Sequence, residues 1–193
     1  EVLERVLQRG CWTPLERFGT TAGWQAIETG VDAFEVLFQE KSVGHVRWDL
    51  LGAHNRMNAL AALAAARHAG VPPEHALASL ATFASVKRRM ETRGSAAGVT
   101  VYDDFAHHPT AIETTLAGLR AKVGAQRILA VLEPRSNTMK RGVMKDRLAA
   151  SLSAADRVFC FTSGLEWDAA AALAPLGAKA ACVADLDALV RAV

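Results

Sequence analysis

From residue 98 onward, short apolar runs alternate with helical patterns, and this rhythm constrains the fold more than any other feature. Gly98 to Tyr102 reads GVTVY and predicts a strand near 99–102, followed by a helix over 109–122 with apolar residues at Ile112, Leu116 and Leu119. Arg127 to Leu132 (RILAVL) predicts a second strand, followed by a loop and a helix from about 141 to 153. A third strand over 157–161 leads to a helix near 167–174, and a fourth over 178–183 leads to a terminal helix from Asp185. Strands that alternate with helices imply βαβ units and a mainly parallel sheet with helices on both faces. Right-handed crossovers then place every strand-to-helix loop on one edge. The loops holding Asp104, Arg135 and Gly164 are therefore predicted to face one crevice, where ligands bind in open α/β sheets.

The first half reads differently. Residues 1–10 predict a helix ended by Gly10, and residues 11–22 are rich in turns. From Trp24 to Leu51 the alternation of Phe34, Val36 and Phe38 with Glu35, Leu37 and Gln39 predicts two or three antiparallel strands. An alanine-rich helix follows to about Ala69, capped by Asn55 or a neighbour and ended by Gly70. Pro72-Pro73 opens another helix through about Leu80. Residues 83–91 are basic and aperiodic, and Gly94 to Gly98 reads as a flexible stretch. The boundary is set there, giving two domains, 1–84 and 85–193.

The totals exclude several classes. Lys and Arg number 22 against 20 Asp and Glu, a balance that argues against a nucleic-acid or membrane surface. No apolar run approaches the roughly 18 residues that a membrane span needs. The opening EVLERVLQRG is amphipathic and is no signal peptide, and both ends read as cut from a longer polypeptide. Of the three cysteines, Cys160 and Cys182 fall in apolar runs and are expected to be buried free thiols, which points to a reducing cytoplasm.

Four clusters carry chemistry. Asp103 to Glu113 (DDFAHHPTAIE) puts two carboxylates and two imidazoles where a strand ends and a helix begins, a place that favours an anion. Pro109 suits the first turn of that helix. Gly52 to Asn58 holds His54, Asn55 and Asn58 at a helix start, and an Asn side chain carries the donor–acceptor pair that reads an adenine edge. Lys87-Arg88-Arg89 offers guanidinium groups that bind phosphate through two bonds. Glu133 to Lys140 joins Arg135 to Ser136, Asn137 and Thr138, a set suited to a carboxylate-bearing substrate. Each has a plainer alternative: a polar turn, a helix cap, a solvated basic face, a polar loop. A zinc site is disfavoured, because adjacent histidines seldom face one metal and no HExxH or CxxC string occurs.

In order along the chain, GAHNRMNALAA, FASVKRRME and VYDDFAHHPTAI resemble three motifs of the Mur ligase family, the ATP-dependent amide-bond-forming enzymes of bacterial cell-wall assembly. The resemblance covers roughly residues 20–193. It implies the end of a central ATPase domain followed by most of a Rossmann-like C-terminal domain, with the N-terminal domain and the rest of the central domain outside this chain. The family's phosphate-binding loop is missing, since no GxxxxGK[ST] string occurs, so the chain alone is expected to be inactive. The loop EPRSNTMK departs from the histidine- and arginine-rich version of the muramate–alanine ligases. The pattern most resembles the member of peptidoglycan recycling that joins UDP-N-acetylmuramate to the murein tripeptide L-alanyl-γ-D-glutamyl-meso-diaminopimelate through an acyl phosphate. ATP and Mg2+ are the cofactors implied. The resemblance implies adenine contacts from His54, Asn55 and Asn58, and nucleotide contact from Arg89. It implies ribose contact from Asp104, His107 and His108 lining the same crevice, and peptide contact from Arg135, Ser136, Asn137 and Thr138. No catalytic residue or metal ligand is assigned within this chain. A muramate–alanine ligase, a folylpolyglutamate-type ligase and a non-catalytic nucleotide- or peptide-binding module are the alternative functions.

Overall fold

The computed structural model describes residues 2–193, which form two compact units. One comprises residues up to 49 together with 54–83, and the other comprises 50–53 together with 84–193.

In the first unit α1 (Val2–Leu7) buries nothing. Strands β1 (Trp24–Gly30), β2 (Ala33–Phe38) and β3 (Lys41–Arg47) form an antiparallel sheet in the order β1-β2-β3. The β2–β3 turn is built on Gln39 and Glu40, both left-handed at φ 50° and 63°, the twist that a two-residue hairpin favours. The period of two sends Phe34, Val36 and Val46 inward. Helix α2 (Ala53–His68) buries Ala59, Leu60, Leu63 and Ala64, and α3 (Pro73–Ala81) buries Ala76 and Leu77. Helix α3 packs on β3 at Gly44, where φ is +146° and a Cβ would meet Leu77 at 3.0 Å. The turn-rich segment is pinned by Glu16, whose Oε1 accepts from the Trp24 indole N–H at 2.6 Å and from Arg67 at 3.2 Å.

The second unit begins with a feature that the sequence reading missed. Strand β4 (Glu91–Ala96) pairs antiparallel with β5 (Val99–Asp103) as a separate two-stranded sheet. The stretch read as flexible, 94–98, is the end of β4 and its turn, with Ala97 and Gly98 at φ 48° and 79°. The strand at 99–102 therefore forms where expected but lies outside the parallel sheet. Local apolar patterning cannot tell which partner a strand takes.

Helix α4 (Pro109–Val123) follows, stopped at Gly124 with φ +59°. Next come β6 (Leu129–Leu132), α5 (Asn137–Lys140), a 3-10 turn at Lys145–Arg147, α6 (Leu148–Ser151) and β7 (Arg157–Phe161). Helix α7 (Ala169–Leu173) runs into a 3-10 turn at Ala174–Lys179, then β8 (Ala180–Val183) and α8 (Leu186–Ala192) complete the chain. Strands β6, β7 and β8 are parallel and neighbours in that order, so the α/β architecture holds with three parallel strands rather than four. Of the helix expected over 141–153 only the 3-10 turn and the short α6 form, because Gly142 turns left-handed at φ +70° near its start.

The core of this unit gathers Leu148, Val158 and Cys160 at 0% exposure, with Ile112 and Leu116 of α4 and Leu173 of α7. Phe159 is buried on the opposite face of β7, and α8 packs along β7 and β8. Mid-helix Gly118 admits the backbone of Gly52, whose N would lie 3.2 Å from a Cβ there. Cys182 departs from the expectation: it is exposed, because β8 is the outer strand. Among the described residues no helix is long and apolar enough to cross a membrane.

Arg120 closes this unit below the sheet. It donates to the carbonyls of Gly124 (2.8 Å), Gln126 (2.6 Å) and Ala154 (3.0 Å) and to Asp156 Oδ2 at 2.6 Å. The same Asp156 oxygen accepts from the Ile128 N–H at 2.8 Å. That backbone bond first, and Arg120 second, hold the Asp156 carboxyl below the usual carboxylate range. A carboxyl whose folded pKa is depressed stabilises above its unfolded pKa, and the contribution is lost as pH falls through the folded value. The chain should therefore lose stability as pH drops below about 4. Asp156→Asn should flatten that slope in urea melts taken across the acid range. An unchanged slope would remove Asp156 from the account.

Candidate functional site

Strand β5 ends at Asp103 and α4 starts at Pro109, so the chain reverses within a few residues. Backbone N–H groups in such a reversal have no ladder partner and must find another acceptor. Asp104 supplies it. Its Oδ1 accepts from the Ala106 N–H at 2.8 Å, and its Oδ2 accepts from the Met90 N–H at 2.9 Å. The second bond reaches across to the basic segment before β4. The Phe105 N–H returns the link by donating to the Arg88 carbonyl at 2.8 Å. The Arg88 guanidinium lies 5.0 Å over the Phe105 ring and 3.6 Å from the Asp103 carboxylate. Glu91 accepts from the Arg88 N–H at 3.0 Å, which holds its carboxyl below the usual range.

These bonds support strained backbone. Arg88 and Met90 are left-handed at φ 60° and 51°, a cost of about 1–3 kcal/mol each for residues with a Cβ. Arg89 stands between them, exposed. Lys87 to Met90 is thus a built turn whose cations remain exposed, and it holds Arg89 next to the Asp104 loop.

The two histidines do different work. His107 is exposed, and its Nδ1 lies 2.9 Å from the Phe105 carbonyl; a carbonyl only accepts, so Nδ1 carries the proton. His108 is the N-cap of α4: its Nδ1 accepts from the Thr110 N–H at 3.2 Å, which leaves Nε2–H on the neutral ring. Among the described residues no group of three or more His, Cys, Asp or Glu could hold a metal ion.

Helix α2 begins at Ala53 after Gly52 at φ +86°, so Asn55 lies inside the first turn and not at the cap. Asn55 and His54 are half-buried and Asn58 is exposed, with its amide nitrogen 3.5 Å from Asn55 Oδ1.

The third cluster follows β6. Pro134 is buried and Arg135 exposed. Ser136 caps α5, its Oγ accepting from the Met139 N–H at 3.3 Å, while Asn137 and Thr138 face solvent. A residue that the sequence reading passed over locks this loop. The Trp167 indole N–H donates to the Met139 carbonyl at 2.7 Å, and the Glu166 N–H donates to the Lys140 carbonyl at 3.1 Å. Gly142 lies under the indole, with Trp167 Cδ1 2.8 Å from where a Cβ would sit. Trp167 belongs to no motif, and only its partner across the sheet edge reveals its role. The loops after β6 and β7 thus meet as the parallel topology predicts. The Asp104 loop reaches the same core through Ala106, which packs on the cluster that holds Met139, but it arrives from the antiparallel hairpin.

A family description, "Mur ligase, glutamate ligase domain", matches residues 88–193. The chain belongs to the Mur ligase family. It is 56% identical over 160 residues, 81% of its length, to UDP-N-acetylmuramate–L-alanyl-γ-D-glutamyl-meso-2,6-diaminoheptandioate ligase of Escherichia coli, and covers 35% of that protein. It is 48% identical to the Haemophilus influenzae ligase of the same name over 171 residues, covering 86% of this chain and 38% of that one. The crystal structure of a murein peptide ligase from Psychrobacter arcticus superposes with a TM-score of 0.70 at 38% identity, over 98% of this chain and 42% of that one. The chain therefore spans little more than a third of the length of these curated relatives.

The structure gives Asp104 a folding role whatever else it binds. Asp104→Ala leaves the Met90 and Ala106 N–H groups without their acceptor and should cost about 1–3 kcal/mol in urea denaturation. Asp104→Asn, which keeps one acceptor oxygen, should cost less. An Ala variant as stable as the parent would show that the carboxylate is idle in folding.

Proposed function

We propose that this chain is part of an ATP-dependent ligase that joins UDP-N-acetylmuramate to L-alanyl-γ-D-glutamyl-meso-diaminopimelate in the cytoplasm. The observation that carries this reading is the 56% identity with the Escherichia coli ligase of that name. ATP would supply the phosphoryl group that activates the muramate carboxylate for attack by the peptide amine.

The residues present suit parts of that nucleotide. Asn58 is exposed and Asn55 half-buried in the first turn of α2, so donor and acceptor amides stand where an adenine edge could be read, with His54 beside them. Asp104 Oδ1 accepts from the Thr115 hydroxyl at 3.5 Å as well as from its backbone donor, whereas Oδ2 keeps a lone pair beyond its one backbone bond, and ribose hydroxyls are donors that such an oxygen accepts. Arg89 offers an exposed guanidinium to phosphate. His107 presents Nε2 as an acceptor and His108 presents Nε2–H as a donor. Among the described residues no group of three or more His, Cys, Asp or Glu is gathered for a metal ion, and Mg2+ would be held largely by the nucleotide phosphates and water.

For the peptide, Arg135 supplies a two-pronged donor to a carboxylate, and Ser136, Asn137 and Thr138 follow it in the loop and α5. Capping by Ser136 and the Trp167 staple hold the loop in one shape before substrate arrives, which lowers the ordering cost of binding.

The reading is tested with the complete enzyme that contains this chain. ADP release should require UDP-N-acetylmuramate and the tripeptide together, and free L-alanine should not replace the tripeptide. Equal turnover with L-alanine would assign the chain to a muramate–alanine ligase instead. Arg135→Lys keeps the charge but loses the fork. It should weaken peptide use by about 1–3 kcal/mol in kcat/KM, with the KM for ATP nearly unchanged. A parental peptide profile in that variant would make Arg135 a solvated surface residue.

A further inference from the structure

Strands β7 and β8 lie side by side, and Cys160 is the register partner of Cys182. Register partners on parallel strands point to the same face, and neighbouring strands lie about 4.8 Å apart. That spacing is within the roughly 4.4–6.8 Å between Cα atoms that a disulfide spans. The two thiols have opposite exposures. Cys160 is fully buried in the core, whereas Cys182 is exposed on the outer strand. The third cysteine, Cys11, is in the other unit.

We propose that Cys160 and Cys182 form an oxidisable dithiol, which a peroxide converts to a disulfide joining β7 to β8. In the first step the Cys182 thiolate attacks one peroxide oxygen. The O–O bond breaks, Cys182 becomes a sulfenic acid, and the departing hydroxide takes a proton to leave as water. In the second step the Cys160 sulfur attacks the Cys182 sulfur. The S–S bond forms and the S–O bond breaks, and the hydroxyl group leaves as a second water with the Cys160 proton. Two thiols lose two electrons and one peroxide gains them.

The surroundings set the order of these steps. Burial pushes the Cys160 thiol up to about 12, with Cys182 as a smaller second cause, so Cys160 stays protonated and shielded. Burial, and then the Asp168 carboxylate, raise Cys182 as well, which makes the pair slow to respond. Cys182 is the thiol that a peroxide reaches first, and Cys160 is the one placed to resolve it. The bond would close the segment that carries Trp167 and α7.

The test uses this chain with Cys11→Ser, treated with hydrogen peroxide, alkylated under denaturing conditions and digested with trypsin. Cleavage after Arg157, Lys179 and Arg191 isolates residues 158–179 and 180–191. The expected product, from chains that stay monomeric on a non-reducing gel, is these two peptides joined. It should be lighter than their sum by two hydrogens and separate on reduction. In a Cys182→Ser version, Cys160 should remain an alkylatable thiol under the same exposure. The proposal is overturned if both thiols stay alkylatable. It is also overturned if Cys182 proceeds to sulfinic acid beside an unreacted Cys160, or if Cys160 oxidises as fast without Cys182.

Discussion

A single carboxylate sets the geometry on which this site depends. Asp104 accepts from Ala106 in its own turn and from Met90 in the segment before β4. Neither N–H can join a strand ladder or a helix there, and a buried amide without an acceptor costs about 1–3 kcal/mol. Meeting both from one side chain fixes the reversal between β5 and α4 and pins the basic turn to it. The left-handed Arg88 and Met90 persist because the neighbouring bonds over-determine them, so Arg89 stands on a rigid support.

A second support of the same kind lies after β6. Trp167 holds the Met139 carbonyl, and the left-handed Gly142 leaves room for the indole ring. The loop that carries Arg135 is thereby ordered by contacts from the next strand's loop, and not by its own four-residue helix, which is too short to stand alone. Both supports leave Arg89 and Arg135 exposed and hold the backbone beneath them still. This arrangement suits recognition, where pre-ordering lowers the cost of binding. It also means that removing Asp104 disturbs the fold itself, so a stability measurement must accompany any kinetic one.

Candidate site residues are more legible in the sequence than their supports. Asp104, Arg89, Asn55 and Arg135 stand out because several polar groups crowd a strand or helix end, a pattern visible along the chain. Trp167 was invisible, since its partner Met139 is remote in sequence and nothing near it is unusual. The two histidines looked equivalent in the sequence; the structure makes one an α4 cap and leaves the other exposed, because only His108 directly precedes Pro109 at the helix start. Cys160 and Cys182 looked equivalent too, and strand order separated them by putting β8 outermost.

What the sequence alone determined was local: where strands and helices form and which residues cap them. The run over 157–161 became β7, and the pattern at 109–122 became α4, because period and capping are read within a few residues. The family likeness was legible for the same reason, being carried by short ordered strings. Tertiary structure alone decided the partners. It paired β5 with β4 rather than with the parallel sheet, shortened the helix expected over 141–153, and brought Cys160 level with Cys182. Pairing depends on which surfaces meet after the chain has collapsed, and a sheet ladder offers the same N–H and C=O groups to any strand. Side-chain packing across distant segments makes that choice, and no local window of sequence contains it.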